Sequence, residues 1–144
     1  MKKLIPLLLA FCMLFSLCAY AADDITIVVN GKTLQPDVPP IIVEGRTMVP
    51  MRIIFEELGA DVTWIPESQM IRATYKEKII DLMIDAKVLM LCNIAKGEIK
   101  RIELDVAPFI LDGRTLVPVR AISEALGAEV GWDNDTRTVT VKSK

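Results

Sequence analysis

An eight-residue block, Gly45-Arg46-Thr47-Met48-Val49-Pro50-Met51-Arg52, returns 68 positions later as Gly113-Arg114-Thr115-Leu116-Val117-Pro118-Val119-Arg120. The register holds beyond the block. Asp37, Val38, Pro40 and Ile42 match Asp105, Val106, Pro108 and Ile110. Ile54, Glu56, Leu58, Gly59, Ala60, Val62 and Trp64 match Ile122, Glu124, Leu126, Gly127, Ala128, Val130 and Trp132. A chain that writes one unit twice at a fixed offset is expected to build one supersecondary element twice. That constrains architecture strongly and names no ligand.

The unit can be assembled from its residues. Pro39-Pro40 opens a β-branched run that suits an edge strand. Glu44-Gly45, and Asp112-Gly113 in the second copy, are turn dipeptides in which glycine takes positive φ without steric cost. Arg46 to Val49 then reads as extended, and Pro50 is expected in the first turn of a helix, where a missing N–H costs least. Met51, Ile54, Phe55 and Leu58 form one apolar stripe at helical spacing. Gly59 ends it as a C′ residue. The second copy repeats this with Val119, Ile122, Leu126 and Gly127, on a thinner stripe because Ser123 replaces the phenylalanine. Val62 and Trp64, then Val130 and Trp132, alternate as the following strands.

Arg52 and Arg120 stand near helix starts, where an anion could bind. Each also has a glutamate four residues on, Glu56 and Glu124, and the i,i+4 ion pair is the plainer reading. Trp64 and Trp132 read as core anchors ahead of sugar platforms, since a tryptophan between valines buries a large area.

Residues 1–21 carry Lys2-Lys3, an apolar run over residues 4–17, and Ala19-Tyr20-Ala21. This is the pattern of a secretory signal peptide cut after Ala21. Without it the 17 basic residues lose Lys2 and Lys3, leaving 15 against 19 acidic, a net charge of −4. Such a balance argues against nucleic acid as a partner. No membrane span is expected after cleavage. Residues 22–144 are expected to make a single domain from two repeats, about 25–92 and 93–142. Cys12 and Cys18 leave with the signal, so Cys92 is alone and no intramolecular disulfide forms. Its run Val88-Leu89-Met90-Leu91-Cys92 places it in the core, the alternative being an intermolecular partner.

Asn30-Gly31 between alternating apolar residues is a strong hairpin signal. Pro66-Glu67-Ser68, Lys76-Glu77-Lys78, Asp85-Ala86-Lys87, Lys96-Gly97-Glu98 and Asp133-Asn134-Asp135-Thr136 punctuate further short strands. Many strands and two short helices predict an α+β fold with a largely antiparallel sheet. The middle strands, over residues 79–92, have no counterpart in the second copy. They are expected to serve both halves, with the two tryptophans at related positions.

The chain has no histidine. Histidine-dependent catalytic triads and the usual zinc and copper sites are therefore excluded. No glycine-rich phosphate loop is present. Glu56-Glu57 reads as a solvated face, and Asp133/Asp135 lacks the further oxygens and downstream bidentate glutamate of an EF-hand. No catalytic residue, metal or cofactor is expected.

With Val29-Asn30-Gly31-Lys32, Pro39-Pro40, the two GRTxVPxR blocks, Leu58-Gly59-Ala60 and Leu126-Gly127, Trp64, Trp132-Asp133 and Arg137-Thr138-Val139 in hand, the chain resembles the copper amine oxidase N-terminal domain-like family, or stalk domain. The resemblance spans about residues 25–141. Met51 and Val119 stand where leucine is usual, and Ile65 stands where Asp133 stands in the second copy. The resemblance implies a small sheet-and-helix module of secreted and cell-envelope bacterial proteins, without copper or oxidase activity. The residues agree: no histidine can ligate copper, and Tyr75, between Thr74 and Lys76, lacks the setting of a quinone-forming tyrosine. The expected structural motif is Gly45, Arg46, Thr47, Pro50, Arg52, Gly59 and Trp64 with Gly113, Arg114, Thr115, Pro118, Arg120, Gly127 and Trp132. The function expected is non-catalytic contact with other envelope proteins or cell-wall polymer, or spacing. Binding of a small ligand or glycan through an aromatic and Arg52 or Arg120 is the alternative, and exposed tryptophans would favour it.

Overall fold

The computed structural model describes residues 24–144; the signal peptide expected over residues 1–21 lies outside the described residues. The chain opens with a hairpin, β1 (Thr26–Val29) and β2 (Lys32–Leu34). Asn30 and Gly31 turn it with φ of 47° and 81°, both left-handed, as a two-residue turn requires. The first unit follows: β3 (Ile41–Val43), β4 (Arg46–Pro50), α1 (Met51–Glu57), β5 (Asp61–Ile65) and β6 (Met70–Tyr75). Then come β7 (Lys78–Met83), β8 (Val88–Asn93) and β9 (Glu98–Glu103). The second unit is β10 (Phe109–Leu111), β11 (Arg114–Pro118), α2 (Val119–Leu126), β12 (Glu129–Asp133) and β13 (Thr138–Lys142). The architecture is α+β and mostly antiparallel, as expected. No helix among the described residues is long and apolar enough to cross a membrane.

The strands form three sheets, in the orders β12-β13-β1-β2, β10-β11-β4-β3 and β5-β6-β7-β8-β9. The parallel contact is β1 against β13, with Ile27 beside Val139 and Val29 beside Val141. Its origin lies in chain order. The hairpin β8–β9 precedes β10 as β1–β2 precedes β3. In the five-stranded sheet β7 stands between β6 and β8, so those two run parallel. The second unit has no counterpart of β7, and its last strand meets the first hairpin directly. Asn30 reinforces the junction: its Oδ1 accepts from the Ser143 backbone N–H at 2.9 Å, and its Nδ2 donates to Ser143 Oγ at 3.0 Å.

β3 and β10 lie at the edges of their sheet, where the preceding prolines leave no ladder bond unmade. The helices are about two turns each. Pro50 ends β4 and occupies the N-cap position rather than the first turn, with ψ of 118°. Met51, Ile54, Phe55 and Leu58 are all buried, and the Gly59 N–H bonds the Glu56 carbonyl at φ 92°. In α2, Val119 is only half-buried. Ala121, Ile122, Ala125 and Leu126 make the buried face, with alanines at the positions that Ile53 and Glu57 hold in α1.

One cluster of buried residues runs through both helices and the two outer sheets, joining Phe55, Ile80, Leu82 and Leu89 to Ile122, Val139 and Val141. The middle strands thus contribute to a core shared with the second unit, while pairing only within the five-stranded sheet. Two expectations need correction. Cys92 is half-buried rather than in the core: it pairs with Ile79 and Ile99, and in that register faces away from the core side that holds Leu89 and Ile102. Trp132 is exposed and is not a core anchor, whereas Trp64 packs partly buried against the core.

Candidate functional site

The middle sheet is where the two copies meet. β4 and β11 pair antiparallel with Met48 opposite Pro118, Val49 opposite Val117 and Pro50 opposite Leu116. Each of these residues faces a position of the other copy, and the register is unchanged when the copies are exchanged. Two ion pairs obey the same relation. Arg46 Nε donates to Asp105 at 2.6 Å, and Arg114 donates through Nε and Nη2 to Asp37 at 3.1 and 2.6 Å. The Arg114 hydrogen bonds hold the Asp37 carboxyl below its ordinary range. All four side chains are well exposed, so the pairs fix register more than they stabilise.

This crossing creates two grooves, each walled by residues of both copies. The first, of about 660 Å³, takes Ile110, Gly113, Arg114 and Thr115 from the second hairpin. From the first copy it takes Pro50, Met51, Arg52, Ile53, Glu56, Val62, Trp64 and Ile71, with Pro36 and Asp37 at its edge. The second, of about 370 Å³, takes Ile42, Gly45, Arg46 and Thr47 from the first hairpin. From the second copy it takes Pro118, Val119, Arg120, Val130, Gly131, Trp132, Asn134, Arg137 and Val139. Both volumes fall within the range of small-ligand sites. Three of the large apolar side chains left exposed on the surface, Ile42 at 47%, Ile110 at 48% and Trp132 at 41%, line these grooves.

The grooves differ in charge and in their tryptophans. In the first, Arg52 Nη1 donates to Glu56 Oε1 at 3.2 Å and to the Val62 carbonyl at 2.9 Å, so the expected i,i+4 pair forms. Two arginines there face two carboxylates. The second groove is lined by Arg46, Arg120 and Arg137, with no carboxylate among its lining residues. The guanidinium of Arg137 lies 5.8 Å from the centroid of the Trp132 ring, within cation–π range. Trp132 and Trp64 differ in their cross-strand partners and groove neighbours. The cross-strand partner of Trp132 is Val139 where Trp64 has Ile71, and Val119 stands where the first groove has Met51.

Of the motif residues read from the sequence, Gly113, Arg114 and Thr115 join Pro50, Arg52 and Trp64 in the first groove. Gly45, Arg46 and Thr47 join Pro118, Arg120 and Trp132 in the second. Gly59 and Gly127 lie elsewhere, closing the helix ends. Sequence reasoning did not single out Asp37, Asp105, Asn134 or Arg137 for the site. The signal for the aspartates was their shared offset with Arg46 and Arg114. For Arg137 it was the contrast with Gln69, its counterpart in the first copy, which has the same left-handed φ near 50°.

The residues do not fit a copper centre. There is no histidine, and among the described residues no group of three or more His, Cys, Asp or Glu is placed to hold a metal ion. Asp133 is engaged within its own turn, its Oδ1 accepting the N–H groups of Asp135 at 2.9 Å and Thr136 at 3.2 Å. A family model described as the copper amine oxidase N-terminal domain matches residues 28–141. No curated protein matches the chain.

Proposed function

The chain belongs to the copper amine oxidase N-terminal domain family, the non-catalytic domain of those enzymes, and we propose that it works as a non-catalytic binding module on the outer side of the cell. The observation that carries this reading is the pair of grooves at the crossing of the two hairpins. They are the places where apolar surface, arginines and a tryptophan converge. The module arose, in this reading, by duplication of one hairpin–helix–hairpin unit within a single domain over residues 22–144. Its partner is another envelope or secreted protein, or cell-wall polymer. Export rests on the n-region, the apolar run and Ala19-Tyr20-Ala21.

Three measurements test this. Intact mass of the exported protein is expected to show Ala22 at the N-terminus; a full-length product held in membrane removes the export reading. Copper loading followed by dialysis, with a peroxide-release assay, is expected to leave neither metal nor turnover; stoichiometric copper with amine oxidation overturns the non-catalytic reading. Co-sedimentation with insoluble wall material, and titration with purified extracellular proteins, are expected to show saturable retention. A protein that remains in the supernatant under every condition has no such binding role.

Binding of a small ligand or glycan is the second reading. The exposure of Trp132 beside Arg137 favours it.

A further inference from the structure

The geometry points to the second groove as a binding site for an acidic sugar, a carboxylated pyranose of an extracellular polysaccharide, seated on Trp132 with its carboxylate among Arg46, Arg120 and Arg137. This rests on the glycan-binding reading and sharpens it. An indole ring exposed at the wall of a groove presents an electron-rich face, and the axial C–H groups of a pyranose carry the complementary positive edge. Ile42, Val119, Val130 and Val139 supply apolar walls, and Thr47 and Asn134 supply hydroxyl and amide groups for ring hydroxyls. At about 370 Å³ the space suits a small unit rather than a folded partner.

Charge selects the acidic ligand. Three guanidinium groups line this groove; Asp105 meets Arg46 as Asp37 meets Arg114 in the first groove, and the added cation is Arg137, beside Trp132, where the first copy has Gln69. Arg46 meets Asp105 through Nε, and Arg120 and Arg137 are also engaged, so a ligand carboxylate adds to existing contacts or exchanges with them. The chain beyond the leader carries a net charge of −4, so no general attraction draws a polyanion to it. Retention of an acidic sugar must come from a local site. The contrast between copies makes the inference specific: Gln69 stands where Arg137 does, Pro66 where Asn134 does, and Trp64 is the more covered ring.

The test uses the exported protein, at about 0.15 M salt to screen long-range charge, with an oligogalacturonate, its carboxyl-reduced neutral analogue and polyglutamate of similar length. Titration calorimetry gives affinity, and the two indole N–H signals in a nitrogen–proton spectrum report which tryptophan responds. Saturable binding of the uronate that shifts the Trp132 signal and leaves Trp64 unmoved is expected. Arg137→Gln, which installs the residue the first copy tolerates at the same backbone conformation, is expected to weaken it about tenfold. Trp132→Ala is expected to abolish it with the melting temperature retained, and Arg101→Gln, exposed on β9 and outside both grooves, to leave it unchanged. Equal binding of the neutral analogue, preference for polyglutamate, a response at Trp64, or no binding overturns the inference. Wall retention that survives Trp132→Ala overturns it while sparing the binding role; absence of all retention removes that role as well.

Discussion

Val49 and Val117, 68 positions apart in the chain, face each other as register partners across β4 and β11, and neither has any accessible surface. Corresponding residues of two copies can meet in this way only at a local two-fold axis, so the pair marks the point about which the middle sheet is reciprocal. The crossed ion pairs Arg46–Asp105 and Arg114–Asp37 lie around the same axis. So do the grooves.

Val49→Ala and Val117→Ala are each expected to cost about 2 kcal/mol, from lost burial plus the cavity left behind. That is on the order of 8 °C in Tm for a domain of this size. The two effects are expected to be similar, and non-additive in the double variant because the sites adjoin. Thermal melting followed by circular dichroism checks this. A large asymmetry would show that the copies do not carry equal weight at the axis.

Arg114 depresses the Asp37 pKa on folding, so the folded protein binds that proton less readily than the unfolded chain does. The contribution is complete above the ordinary value of 3.8 and is lost as pH falls through the lower folded value. Carboxyl-carbon NMR titration is expected to place the Asp37 midpoint below that value, and Arg114→Met to return it upward. A midpoint that ignores the arginine would refute the assignment.

Gly113 turns the second hairpin at φ +76°, and a Cβ placed there meets nothing within 4 Å. The cost of Gly113→Val is therefore backbone strain, roughly 1–2 kcal/mol, larger than that of Gly113→Asn, since asparagine visits this region more readily. Both variants are expected to melt in one transition, because the turn sets β11, which lies against β4 of the other copy. Separate transitions in the valine variant would mean the copies unfold independently.

Residues 22–93 and 94–144, expressed apart, are each expected to lack a cooperative melt. The first loses β13, the partner of β1, and the second loses β1 and β4. Each also opens the common core around Phe55 and Ile122. A half that melts sharply near the midpoint of the whole would make this a two-domain chain.

Much of the local structure was legible in the sequence, because it depends on short-range chemistry. Asn30-Gly31, Glu44-Gly45 and Asp112-Gly113 turn where their left-handed conformations predict. Met51, Ile54, Phe55 and Leu58 bury the face their spacing describes, and Gly59 ends the helix. The repeated block led to the expectation of one unit built twice. Matched position does not bring matched environment: Trp132 is exposed, while Trp64 packs partly buried against the core. Burial depends on what packs on the ring, and the cross-strand partner is Val139 for Trp132 and Ile71 for Trp64.

What the sequence by itself determined, then, was the turns and the apolar face of α1, set by residues within a few positions of one another, and, through composition, the absence of histidine chemistry. The tertiary structure alone decided that β1 lies parallel to β13, that Arg46 and Arg114 each reach an aspartate of the other copy, and that two unequal grooves result. Those relations join residues 59 to 113 positions apart. Strand pairing at that range is selected by how the whole set of apolar faces closes into one core, and no local propensity encodes it.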